Sequence, residues 1–97
     1  MESEKKSITF HNRQLSQIGL EIYYEDEDEI MCDGHLVEKE CVEKFDMRSS
    51  IYQIIIFYLG RFHYISQDLL NKRIKKIAFP FCSILLEYDD GLTMSLY

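Results

Sequence analysis

Acidic side chains are concentrated in one segment of this chain, and that segment must stay in water when the chain folds. Residues 21–46 hold eleven of the seventeen acids of the 97-residue sequence and two of its eleven bases. The segment therefore carries a charge of −9 within a chain whose net charge is −6. Like charges held this closely repel one another and cannot enter an apolar core. We expect a nearly neutral body with one acidic face, which would attract a basic protein and repel nucleic acid.

The length and composition indicate a single folded domain over residues 1–97. Apolar residues make up 46% of the chain, and seven tyrosines and six phenylalanines can fill a modest core. One proline and four glycines argue against long linkers. We expect only residues 1–6, most of which are charged or polar, to fray.

Several features favour the cytoplasm. The first six residues lead into no apolar signal region. The longest apolar run, residues 54–59, is far too short to span a bilayer. Three cysteines, an odd number, suit a reducing compartment better than a disulfide framework. We therefore expect a cytoplasmic protein that binds no membrane.

The first part of the chain alternates in the manner of half-buried strands. Residues 17–24 carry an apolar side chain at every second position: Ile18, Leu20, Ile22 and Tyr24. Residues 7–11 form a shorter β-prone run, and residues 12–16 would join the two runs as a hairpin. The five acids of residues 25–29 should then form a solvated loop or strand end.

A second hairpin is predicted at Asp33-Gly34, because Asp-Gly is a favoured pair for a two-residue turn. Its strands would be residues 29–32 and 35–39. Residues 40–46 could continue the second strand or form a helical turn.

Residues 50–65 fit two structures. Their apolar residues follow the spacing of one helix face, and Ser50 with Gln53 resembles a capping box. The same residues are β-branched and aromatic, and Gly60 could turn a hairpin. On the periodicity we predict a helix. Ser66 would then cap a second helix over residues 67–77, with four basic residues near its end.

The C-terminal hairpin is the clearest element. Residues 81–88 and 92–97 flank Asp89-Asp90-Gly91, so a two-residue and a three-residue loop are both open. The three-residue loop, with Gly91 left-handed, makes one face apolar by pairing Tyr88 with Leu92, Leu86 with Met94 and Ile84 with Leu96. Since register follows the buried face, we predict this loop, with Tyr97 docked on the body.

These elements together predict an α+β fold. It would hold an antiparallel sheet of about five strands, from the N-terminal hairpins and the C-terminal hairpin. The sheet would pack against one or two central helices.

Metal binding is not expected. Cys32, His35 and Cys41 read C-x2-H-x5-C, which lacks the paired halves typical of zinc sites. A calcium loop that begins at Asp26 and Asp28 fails at Ile30, where a third oxygen ligand is needed. Free cysteines are ordinarily small core residues, so we predict neither a metal nor another cofactor.

Catalysis and nucleic-acid binding are also poorly supported. Cys41 or Cys82 with His63 could form a nucleophile pair, but such pairs arise by chance in a chain with three cysteines and three histidines. No phosphate-binding glycine loop or hydrolase motif occurs. The only basic patch is residues 72–76, and the net charge opposes nucleic acid as a partner. We therefore do not expect an enzyme.

The acidic segment is the candidate binding site. Tyr23 lies on the polar side of its strand among acids, where an exposed tyrosine is a typical interface anchor, although packing on a neighbouring strand is an equal alternative. The residues expected to contact a partner are Tyr23, Glu25, Asp26, Glu27, Asp28, Glu29 and Asp33.

The predicted function is that of a small acidic inhibitor or immunity-type protein. It would cover the basic site of a partner protein, such as a nucleic-acid-handling enzyme, and its charge would mainly speed association. The alternative is a structural or accessory subunit that self-associates, for example as a homodimer, through an apolar strand edge or helix face. In that case the acids would serve solubility.

Overall fold

Nine β-strands form two sheets that pack face to face in the computed structural model, which describes residues 7–47, 50–70, 72–80 and 83–96. The strands are β1 (Ser7–Asn12), β2 (Ile18–Asp26), β3 (Glu29–Val37), β4 (Val42–Asp46), β5 (Ser50–Tyr58), β6 (Arg61–Ile65), β7 (Ile74–Phe79), β8 (Ile84–Tyr88) and β9 (Thr93–Leu96). The five-stranded sheet has the order β4-β1-β7-β8-β9, and the four-stranded sheet has the order β3-β2-β5-β6. Neighbouring strands are antiparallel except for β1 and β7, which are parallel.

The core lies between the sheets and follows the two-residue period of the strands. Ile18, Leu20, Ile22 and Tyr24 of β2 are all buried, as the alternation predicts. They meet alternate residues of the opposite sheet: Ile8, Phe10, Ile77, Phe79, Ile84 and Leu86. Burial of these apolar side chains is the main force that holds the two layers together.

Contacts across the core show which strands face each other. The ring of His35 on β3 stacks on that of Phe45 on β4, with centroids 4.0 Å apart. The ring of Tyr58 on β5 meets that of Phe79 on β7 at 5.3 Å. Strand β3 therefore faces β4, and β5 faces β7. The strand orders then place β2 opposite β1 and β6 opposite β8.

The predicted hairpin between the first two strands is wrong, because β1 and β2 lie in different sheets. The chain crosses between the layers at residues 12–16, and the buried Asn12 holds the crossing. Its Nδ2 donates to the carbonyls of Ser16, Val37 and Glu38 at 2.8, 3.0 and 3.1 Å, and its Oδ1 accepts from the Gln14 amide at 2.8 Å. These bonds satisfy a polar side chain that would otherwise be costly to bury.

The predicted α+β class with central helices is wrong. Residues 50–65 form strands β5 and β6, joined by a two-residue turn at Leu59-Gly60 in which both residues have positive φ, 53° and 74°. The predicted helix over residues 67–77 is replaced by a 3-10 turn, Gln67–Leu70, and the central strand β7. No helix in the part of the chain that the structure describes is long and apolar enough to cross a membrane.

The predicted turn at Asp33-Gly34 is also wrong. Both residues lie inside the continuous strand β3, where Asp33 pairs with Ile22 and Gly34 with Glu21. The turn lies at residues 27–28, where Glu27 has a φ of 57°. Pairing along the whole of β2 places the buried Val37 beside Ile18, so the core sets the register rather than the local turn preference. Residues 40–46 leave this sheet, and β4 pairs with β1 in the other one.

The C-terminal hairpin has the predicted register. Leu86 pairs with Met94 and Ile84 with Leu96, and the Tyr88 amide donates to the Leu92 carbonyl at 2.9 Å. Gly91 has a φ of 90°, as the three-residue loop requires. The predicted start of the hairpin at residues 81–82 and the docking of Tyr97 lie outside the described residues.

Candidate protein-binding surface

The outer face of the four-stranded sheet is apolar toward the end that carries the β5–β6 turn, although the outer face of an antiparallel sheet is usually polar. Leu36, Phe62 and Tyr64 are 59%, 62% and 62% exposed. Phe57 is also exposed and Ile55 is half-buried. We call this set of five residues the apolar patch: Leu36, Ile55, Phe57, Phe62 and Tyr64. A contiguous apolar patch on a small protein is typical of an interaction surface.

The strand register makes this patch contiguous. One row across the sheet runs from Leu36 through Gly19 and Phe57 to Phe62. The next row runs from Gly34 through Glu21 and Ile55 to Tyr64. Neighbours in a row lie about 4.8 Å apart, so their side chains touch. The rings of Phe57 and Phe62, for example, have centroids 5.1 Å apart.

Glycine gives the patch a depression. Gly19 and Gly34 lie diagonally in these two rows and carry no side chain, and Gly19 lies between the bulkier Leu36 and Phe57. The result is an open cavity of about 570 Å³, which Phe62 and Ile55 also line. A protruding apolar side chain of a partner could enter this depression.

The hairpin between β2 and β3 brings acids to one end of the same face. Glu21, Tyr23 and Glu25 point outward, alternating with the buried residues of β2. Asp26, Glu27, Asp28 and Glu29 follow at the turn, so residues 25–29 form a cluster at the end of the sheet, which we call the acidic tip. The structure thus joins the acids predicted from the sequence to an apolar patch that was not predicted.

Tyr23 is held in place on this face. Its hydroxyl donates to Glu21 Oε1 at 3.1 Å, and β3 places Cys32 directly opposite it. The pKa of Tyr23 is raised to about 12, mostly by its hydrogen bond to Glu21 and to a smaller extent by that to Cys32. Tyr23 therefore stays neutral at physiological pH, with its half-buried ring beside the acids.

Asp33 does not join the other predicted contact residues on this face. It pairs with the buried Ile22, so it lies on the core-facing side of the edge strand β3, where it is half-buried. The remaining predicted residues, Tyr23 and the acidic tip, lie together at one end of the sheet. Sequence reasoning missed the apolar patch because it assigned residues 50–65 to a helix. The signal that favoured strands was the β-branched and aromatic composition of residues 51–58, followed by a possible turn at Gly60.

The Cys–His–Cys motif is dispersed. Cys32 lies on the outer face, His35 lies on the other side of β3 against Phe45, and Cys41 lies in the following loop. Within the described ranges, no three His, Cys, Asp or Glu side chains are arranged to hold a metal ion. Cys41 and His63 lie at opposite sides of the molecule, before edge strand β4 and on edge strand β6, and Cys82 is outside the described residues.

The basic patch is largely paired within the molecule. Lys72 contacts Asp90 at 3.1 Å and Lys75 contacts Glu87 at 3.3 Å. Arg73 bonds Asp89 and the carbonyl of Ser7. The partners of these three cations are thus acids of the C-terminal hairpin and not those of the acidic tip.

Comparison with known proteins finds no match to a family model, to a curated protein or to a solved structure. The geometry of the outer face is therefore the basis for a functional conclusion.

Proposed function

We propose that this chain is a small cytoplasmic inhibitor of the immunity type, which covers a partner protein with the outer face of its four-stranded sheet. The observation that carries the proposal is the apolar patch, in which Leu36, Phe62 and Tyr64 are each more than half exposed. Exposure of neighbouring apolar side chains in two adjacent rows is costly in water unless a partner covers them.

Charge supports a partner whose basic surface lies next to an apolar one. The outward residues of the four strands include Glu21 and Glu25 but neither lysine nor arginine. The acidic tip extends this charge beyond the end of the sheet. A partner with a basic site, such as a nucleic-acid-handling enzyme, would be steered toward this end, and the effect would weaken in salt.

Affinity would come mainly from the aromatic residues. Phe57 and Phe62 form a tilted ring pair on a rigid strand hairpin, so they lose little conformational freedom on binding. Interface aromatics of this kind often contribute about 2 kcal/mol or more when they are buried centrally. The acidic tip would then set the rate and the orientation of binding, while the apolar patch would set the lifetime of the complex.

The proposal is tested by capture of partner proteins from the native host at low and high salt. Phe62→Lys should abolish capture of the specific partner. Val42→Lys is the matched control, because Val42 is an equally exposed apolar residue on β4 of the other sheet. Capture that survives Phe62→Lys, or that Val42→Lys also abolishes, would contradict the proposed surface.

Self-association through the same apolar patch is the alternative occupant. Analytical ultracentrifugation of the pure protein distinguishes self-association from partner binding. A face-to-face dimer would form without any second protein and would dissociate in the Phe62→Lys variant. In such a dimer the acidic residues of the two copies would repel each other and oppose association, and the repulsion would be stronger the closer they lie. A concentration-dependent dimer that captures no partner would make this alternative the function.

A further inference from the structure

The two sheets differ in width, and the difference leaves one strand uncovered. With β3 opposite β4 and β5 opposite β7, the four-stranded sheet ends at β6, which lies opposite β8. The five-stranded sheet continues by one more strand, β9. No strand of the described residues lies opposite β9 on its core-facing side.

Burial confirms that the second sheet does not reach β9. Leu86 is completely buried, but its cross-strand neighbour Met94 is 41% exposed. Tyr88 is buried in the same way, while Leu92, which its amide contacts, is 55% exposed. A cavity of about 370 Å³ lies there between the 3-10 turn and the hairpin, and it is lined by Leu69, Tyr88, Leu92 and Met94, among others. We call the space beside β6 and opposite β9 the open strand position.

The edge of β6 presents its backbone to this position. In a two-residue hairpin the residues that flank the turn, here Tyr58 and Arg61, form a hydrogen-bonded pair. From there along the strands, non-hydrogen-bonded and hydrogen-bonded pairs alternate. The amides and carbonyls of Phe62 and Tyr64 therefore point away from β5. Among the described residues no strand pairs with them.

The β6 edge also lacks the features that protect the edges of β3 and β4. The edge strand β3 carries Glu29 and Asp33, and β4 carries charged residues at three of its five positions. The sequence of β6, RFHYI, has one charge at its first residue and neither lysine nor proline. Edges without charge, proline or a bulge are those that pair with another strand.

We propose that the open strand position binds an extended segment of a partner protein. The segment pairs with β6 as a fifth strand of the smaller sheet and packs apolar side chains onto Leu92 and Met94. This makes the two layers equal in width. The segment is uncharged and has apolar residues at every second position, because its alternate side chains face either β9 or the outer face beside Phe62.

A second copy of the chain does not fit this position. Its own β6 would pair correctly, but its β8 and β9 would occupy the space of the first copy's β9, because that sheet is already the wider one. The position is one strand wide, which favours a single extended segment over a folded sheet.

The test uses a displayed library of random decapeptides as the probe, selected against the folded protein. Peptides bound at the open strand position should have alternating apolar residues and should slow hydrogen exchange of the Phe62 and Tyr64 amides. Met94→Asp, at a partly exposed residue, should weaken their binding roughly tenfold or more. Leu36→Asp, on the outer face, should leave it unchanged.

A backbone control separates pairing from side-chain contact. Tyr64→Pro removes the edge amide and should abolish binding, whereas Tyr64→Thr keeps that amide and should retain it. Proline is tolerated at an edge position whose amide points outward, and circular dichroism checks the fold. Selection of no peptide, or of peptides that respond only to Leu36→Asp and leave the β6 amides unprotected, would overturn this inference. The second result would still support the proposed outer-face function.

Discussion

Replacement of Asn12 tests whether the crossing between the two sheets depends on one buried amide. Asn12 is the only polar residue buried among the described residues, and its side chain bonds three carbonyls and one amide. Asn12→Ala removes all four bonds. Val37 is the last residue of β3, the strand that carries Leu36, and Glu38 follows it, so the change also reaches the proposed binding surface.

The expected loss follows from how deeply each partner is buried. The bond to the Val37 carbonyl is buried, so its loss costs about 1–3 kcal/mol, although this carbonyl also faces Ile18 in the β2–β3 ladder. The other three bonds are partly buried, and water can replace them, so together they add about 1 kcal/mol. We therefore expect a loss of about 2–4 kcal/mol, which in a domain of this size lowers the Tm by about 10–25 °C.

Urea unfolding followed by circular dichroism measures this loss. Gln17→Ala is the matched control, because the Gln17 Nε2 donates to Glu38 Oε2 at 2.7 Å on the exposed surface. Its removal should cost less than about 0.5 kcal/mol. A loss below about 1 kcal/mol for Asn12→Ala, with an unchanged m value, would refute the reasoning, since it would show that the buried carbonyls find other partners.

Four further predictions test the hairpin, the acidic tip, the pH response and the metal expectation. Gly91→Ala should destabilise the protein by about 1 kcal/mol or somewhat more, because Gly91 has a φ of 90°; an unchanged melting temperature would contradict the three-residue loop. Replacing Glu25, Glu27 and Glu29 with lysine should keep or slightly raise stability and slow partner association by roughly an order of magnitude, which stopped-flow measurement at several salt concentrations would check. Burial lowers the pKa of His11 in the folded state, and the positive charges of Lys76 and Arg13 lower it further. The unfolded chain therefore binds the proton first, stability falls as the pH drops below about 6.5, and His11→Gln should flatten the melting temperature between about pH 7 and pH 5. Elemental analysis of protein purified without chelator should find no stoichiometric zinc, and one equivalent with unfolding on chelation would reverse the interpretation of the Cys–His–Cys motif.

The sequence by itself determined the elements whose information is local. The alternation in β2 separates four buried residues from outward acids, and a two-residue period has only one way to do this in a strand. The C-terminal hairpin was equally determined, because only one register puts its apolar residues on one face and Gly91 can take the left-handed conformation that this register needs. The acidic tip followed from charge alone, since five consecutive acids cannot be buried.

The tertiary structure decided the class of the fold and the position of the apolar patch. Residues 54–59 are apolar on both sides of the strand, because Ile54, Ile56 and Tyr58 fill the core while Ile55 and Phe57 lie on the outer face. An unbroken apolar run also matches a helix stripe, so periodicity could not separate the two structures. Pairing with β2 on one side and β6 on the other resolved the ambiguity through long-range hydrogen bonds. Two residues of the helix-like stripe that misled the secondary-structure prediction, Ile55 and Phe62, thus belong to the apolar patch, and we propose that a partner covers this face.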